Sequence, residues 1–236
     1  IYSCLLNDNG GIIGDLIIYQ IRQDEYRLTI NTKCLESNLL WIKKQIKREK
    51  ELQITITQES SLSMISIQGP KSCEILTKLI DPDKMGVLKL LAPFQMTRNK
   101  AWMISRTGYT GEDGFEIILP QEQANTTWEK LIKHGARPCG LGARESLRLE
   151  ARLNLYGKDM TADTTPLCTN LEKTVCYQDP NRQFIGKKAL MKLKDQPPSE
   201  KLIALYLNEK ESIREGQILY NNTEPCGLIT SCGFSP

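Results

Sequence analysis

Residues 101–134 read AWMISRTGYTGEDGFEIILPQEQANTTWEKLIKH, and this stretch decides the fold class. Apolar runs at 101–106 and 115–119 have the length and alternation of strands, and the turn between them carries Gly108, Gly111 and Gly114. Two such runs around a glycine-rich turn predict a hairpin. Residues 122–134 then follow a helical pattern that Gly135 ends. The same order occurs upstream. Residues 53–57 and 62–68 alternate as strands, Gly69-Pro70 breaks the chain, and residues 73–80 carry the apolar face of a short helix. A recurring strand, strand, helix order predicts an α+β fold with antiparallel sheets backed by helices, not an alternating parallel one.

Working outward, Asn7 to Gly11 is a turn cluster, and residues 12–21 form a β-branched run that predicts a buried strand. A second strand is expected over 26–31. Between 35 and 52 the apolar residues 35, 39, 40, 42 and 46 share one helical face among lysines. Another helix is expected over 143–153. After the Pro197-Pro198 break, residues 201–208, 217–220 and 228–232 read as strands of a small β lobe. The chain opens without methionine and stops just after a strand-like run, so it reads as an internal piece of a longer protein.

At 236 residues, 40% hydrophobic and 25% charged, the composition is that of an ordinary globule. No apolar run approaches the ~20 residues of a spanning helix, so no membrane partner is expected. The net charge of +3 is small, and lysines alternate with glutamates instead of forming a basic stripe. Nucleic acid is therefore not an expected partner. Eight cysteines show no CxxC pair and read as free thiols in a reducing compartment. No metal site is expected, because His134 is the only histidine and no cysteine pair has finger spacing.

Three segments carry candidate chemistry. Asp15 places a carboxylate in an otherwise apolar strand, where it is either functional or satisfied by local backbone at a bulge. In the turn at 106–116, the glycines allow either a plain hairpin or the close approach of a flat ligand, and Glu116 follows within the next strand. After Pro138-Cys-Gly-Leu-Gly, Arg144 and Arg148 share a helix face, and Glu145 with Arg148 has the spacing of a solvated surface pair.

Taken together, YSCLLNDNGGIIGDLIIY, LSMISIQGP, TGYTGEDGFEI, CGLGARESLRLEARLNLYG, FIGKKAL and GLITSCGFSP resemble the aminomethyltransferase family, the T-protein of the glycine cleavage system. The resemblance extends over nearly the whole chain. It implies a folate-binding cloverleaf fold, with residues 1–196 an N-terminally incomplete tetrahydrofolate-binding core and residues 197–236 part of a C-terminal β-barrel domain. The implied reaction moves the aminomethyl carbon from the lipoyl arm of H-protein to tetrahydrofolate and releases ammonia. Residue by residue, the catalytic aspartate falls on Asp15, the pteridine-binding glutamate and arginine on Glu116 and Arg144, and further folate contacts on Asn31 and Tyr109. Asp15, Asn31, Glu116 and Arg144 are then expected to line one cavity.

Three departures stand out. Gly14 occupies the place of a second acidic residue, Arg152 stands where the family usually has glycine, and Glu172-Lys173 replaces a more apolar Gly-Trp-like pair. Three other readings compete. The folate-dependent proteins of iron–sulfur assembly carry a Lys-Gly-Cys-aromatic turn that Thr107-Gly108-Tyr109-Thr110 does not match. The remaining two are the folate domain of a dimethylglycine- or sarcosine-type demethylating oxidase and a catalytically inactive folate-binding paralogue. The bacterial look of PCGLGARESLRLEA implies the cytoplasm, or the mitochondrial matrix for a eukaryotic source.

Overall fold

The computed structural model describes residues 1–49, 51, 53–207 and 212–236. The chain divides into two units, one of Ile1–Ile54 with Asn154–Cys232 and one of Thr55–Leu153 with Gly233–Pro236. The fold is α+β, and every strand ladder is antiparallel.

The first unit begins with the sheet β1 (Tyr2–Leu6), β2 (Ile12–Arg22) and β3 (Glu25–Ile30), in that order. The turn after β1 is tight because Asn7 Oδ1 accepts the amides of Asn9 and Gly11 while Gly10 takes a left-handed φ of 82°. Leu5 faces Gly14 and Leu6 faces Ile12, so Ile13 is the extra residue of a bulge. A 3-10 turn at Thr32–Cys34 leads into α1 (Leu35–Ile46). The buried Asn38 of α1 lies so close to β2 that a Cβ at Gly14 would overlap its amide. Position 14 is therefore glycine for space. The helix expected over 35–52 ends at Ile46, and its last expected residue, Leu52, lies outside the described residues.

The second unit holds β4 (Leu62–Gln68), α2 (Ser72–Thr77), α3 (Pro82–Leu90), β5 (Met96–Asn99), β6 (Trp102–Ser105), β7 (Gly114–Pro120), α4 (Gln121–Lys133) and α5 (Leu141–Glu150). Its sheet runs β4-β7-β6-β5. Alternation along β7 sends Phe115, Ile117 and Leu119 into a core with Ile65, Ile104, Leu76, Leu88 and Leu131. Side chains alternate faces along a strand, so Glu116 projects from the other face, in a row with Ser66 and Ser105 on the neighbouring strands. Residues 53–57 are not a strand. Their alternation finds no partner strand among the described residues, and Ile54 and Ile56 are exposed. Two elements of this unit were not expected. β5 is short and polar and exists by pairing with β6, whereas α3 starts at Pro82 and buries Leu88 while leaving Val87 and Leu90 exposed.

The first unit resumes with α6 (Lys187–Leu193), β8 (Ile218–Asn221) and β9 (Glu224–Leu228). Its core joins Leu6 and Ile12 to Met160 and Leu190. The strand expected at 228–232 lies instead at Glu224–Leu228, because Asn222 turns the chain at a left-handed φ of 57° and sets Asn221 opposite Glu224. Residues 201–207 form no strand, and Asn208 lies outside the described residues. No helix among the described residues is long and apolar enough to cross a membrane.

Candidate functional site

The glycine-rich turn of the second unit is filled by a side chain of its own. Gln68 Nε2 donates to the carbonyls of Thr107 at 3.0 Å and Phe115 at 3.4 Å, and Thr110 Oγ1 donates to Gln68 Oε1 at 3.3 Å. A Cβ at Gly108 or Gly114 would overlap that amide, and one at Gly111 would meet Ala151 at the end of α5. These glycines therefore make room for Gln68 and for α5, not for a flat ligand. Arg106 closes the turn with a bidentate pair to Asp113 at 2.7 and 2.8 Å, which holds the Asp113 carboxyl below its usual range.

Glu116 is half-buried, and its Oε2 accepts the hydroxyl proton of the buried Thr107 at 2.6 Å. Thr107 Oγ1 lies 2.9 Å from Ser105 Oγ. Tyr109 and Arg144 are brought together. The exposed guanidinium of Arg144 lies over the Tyr109 ring at 4.7 Å from its centroid, while the Tyr109 hydroxyl donates to the Leu153 carbonyl at 3.5 Å. The same carbonyl accepts from Arg148 Nη1 at 3.2 Å. The Arg148 side chain is 2% exposed and bonds the 31% exposed Glu145 through Nε at 2.9 Å, so this pair is part-buried and not the fully solvated surface pair of the sequence reading. Helical spacing does not reveal that Arg148 is covered while Arg144, on the same face, is exposed.

In the first unit Asp15 stands opposite Cys4 on β1 and accepts the Tyr2 hydroxyl at 3.1 Å. Burial raises the Asp15 pKa and the Tyr2 bond offsets part of that rise. Burial also pushes the Cys4 thiol up to about 11, with the Asp15 charge adding to it, so this cysteine is a weak nucleophile at neutral pH. Asn31 follows Ile30, whose partner is Leu16, and so lies at the Asp15 end of β3. Its Oδ1 caps the 3-10 turn by accepting the Lys33 amide at 3.1 Å, and Nδ2 is the donor of the same side-chain amide. Asp15 and Asn31 thus belong to one unit, and Tyr109, Glu116 and Arg144 to the other.

A family model described as the GCVT N-terminal domain matches residues 1–179. The chain belongs to the GCVT N-terminal domain family. Within it, the chain is 40% identical over all 236 residues to an aminomethyltransferase of Francisella tularensis subsp. tularensis and 42% identical to one of Francisella philomiragia. It spans 65% of the length of these relatives. The crystal structure of glycine cleavage system aminomethyltransferase T from Bartonella henselae matches with a TM-score of 0.88 and 32% identity, covering 99% of this chain and 63% of that one.

Two of the departures, Gly14 and Arg152, have distinct physical settings. Gly14 abuts Asn38, whose two amide atoms are buried and have no hydrogen-bond partner among the described residues. Arg152 takes a left-handed φ of 58°, a conformation that suits the glycine usual at this place. Sequence reading missed Tyr2, Gln68, Ser105 and Thr107, the residues that touch Asp15, the glycine turn and Glu116. Their common signal is a polar residue inside or beside a strand, which is too frequent to single them out. A cavity of about 460 Å³ in the second unit, lined among others by Lys78, Lys100, Trp102 and His134, contains none of the residues that the GCVT resemblance marks.

Proposed function

We propose that the protein to which this chain belongs is the aminomethyltransferase of glycine cleavage. It takes the aminomethyl carbon from the lipoyl arm of H-protein, passes it as a methylene to tetrahydrofolate and releases ammonia. The observation that carries this reading is the alignment of the entire chain with aminomethyltransferases at 40–42% identity. The side-chain chemistry supports it.

A pteridine presents a fork of N–H donors on one edge and acceptors on another. Glu116 is the acceptor for the fork, in the paired geometry that charge-assisted bonds favour. Arg144, steadied by the Tyr109 ring at 4.7 Å, donates to the acceptor edge. Asn31 adds a donor through Nδ2. These contacts orient the folate nitrogen toward the incoming carbon. Asp15 stabilises the cationic carbon and takes the proton of the attacking nitrogen, a task that its raised pKa suits. In this reading residues 1–196 form the folate-binding core, residues 197–236 belong to a β-barrel domain, and the protein works in the bacterial cytoplasm.

Calorimetric titration of the full-length protein with tetrahydrofolate tests the assignment. Glu116→Ala is expected to weaken binding by about 1–3 kcal/mol, the cost of leaving ligand donors unpaired. A wild-type protein that binds no tetrahydrofolate overturns the proposal.

A further inference from the structure

Glu116 is held by a chain of hydroxyls whose direction is set by proton count. Thr107 has one hydroxyl proton and gives it to Glu116 Oε2 at 2.6 Å. In its 2.9 Å contact with Ser105 Oγ, Thr107 therefore accepts and Ser105 donates. The same Ser105 proton is shared with the Glu116 carbonyl at 3.3 Å, the longer branch of a forked donation, and Ser105 is the β6 residue paired with Glu116 in the ladder. Ser105 is 0% exposed and Thr107 7%, so water does not compete strongly for either hydroxyl. Gln68 Nε2 pins the Thr107 carbonyl at 3.0 Å, which fixes the backbone that carries the donor.

We infer that Ser105 and Thr107 form a one-way donor chain that keeps Glu116 an acceptor, and that this chain sets the site's specificity for ligand edges bearing paired N–H donors. The inference rests on the folate reading above and names what selects the pterin: its 2-amino group together with the adjacent ring N–H. A carboxyl free of Thr107 can rotate and would then accept edges that lack the amino group. Thr107 is a positioning residue in this account. It acts on the ligand through Glu116.

The experiment titrates full-length wild type, Thr107→Val, Thr107→Ser and Ser105→Ala with tetrahydrofolate and with its 2-desamino-2-methyl analogue. Wild type is expected to prefer tetrahydrofolate strongly. Thr107→Val should lose on the order of tenfold in tetrahydrofolate affinity while losing less for the analogue, so that the preference narrows. Thr107→Ser, which keeps the hydroxyl, should recover most of it, and Ser105→Ala should show a smaller loss of the same kind. A folded Thr107→Val protein with an unchanged preference overturns the inference. If Thr107→Val does not fold, a Ser105→Ala preference equal to wild type overturns it instead. Glu116→Ala separates the two claims: if it leaves affinity and preference intact, the folate role of Glu116 fails. If it abolishes the preference while Thr107→Val does not, only the donor chain fails.

Discussion

At neutral pH the carboxylate of Asp15 is half-buried beside a thiol that burial keeps protonated, and the Tyr2 hydroxyl donates to it at 3.1 Å. Its folded pKa is raised, so the folded state holds this proton more tightly than the unfolded one. The sign of the linkage follows. The stabilising contribution of Asp15 is fully present below the ordinary aspartate range and is lost as pH rises through the raised value. Asp15→Asn is accordingly expected to melt higher than wild type near neutral pH and to lose that advantage as the medium becomes more acidic. The same substitution removes the charge proposed to face the cationic carbon, so turnover should fall by ~2–4 kcal/mol in transition-state terms. Thermal scans across pH and single-turnover transfer from loaded H-protein measure the two effects. A variant that gains no stability near neutral pH and keeps its turnover would return Asp15 to an ordinary strand residue.

Among the elements, α5 connects local geometry to the candidate site. Its end is a Schellman cap: the Leu153 amide reaches the Arg148 carbonyl at 2.8 Å and the Arg152 amide the Leu149 carbonyl at 2.9 Å, with Arg152 left-handed between them. The Leu153 carbonyl in turn accepts from Tyr109 and Arg148. A non-glycine residue in this conformation costs about 1–2 kcal/mol, part of which glycine gives back as unfolded-state entropy. Arg152→Gly should therefore stabilise the protein by roughly 0.5–1 kcal/mol, seen as a higher urea midpoint at unchanged slope. An unchanged or lower midpoint would contradict that account of the cap. Elements such as β2, β4, β7 and α4 were legible because each pairs a clear period with a burial demand. β5 was not, since its four residues become a strand only through β6, and residues 53–57 show the converse, a period with nothing to pair against. At the site, Glu116 and Asp15 were legible as charges in apolar strands. The contact between Arg144 and Tyr109 was not, because no local pattern ties a turn residue to a helix so much later in the chain.

The whole molecule is one unit interrupted by another. Thr55–Leu153 carries its own sheet, helices and apolar core, and among the described residues it is joined by Gly233–Pro236, which bonds it through Ser235 to Glu150 and through the Phe234 carbonyl to Ser146. Those are exposed contacts of small worth. The excised segment 55–153 is expected to unfold in one cooperative urea transition with a slope of about 1–3 kcal/mol per molar. A featureless, non-cooperative profile would show that its core is not self-sufficient. The interrupted unit has a different history during synthesis. Leu6 and Ile12 leave the ribosome about 150–180 residues before Met160 and Leu190, the residues that bury them. At ~5–20 residues per second the first strands wait roughly 10 to 40 seconds for the rest of their core. The inserted unit can close in that interval, so β1 and β2 are translated before it yet secured after it, and until then they need a chaperone's cover.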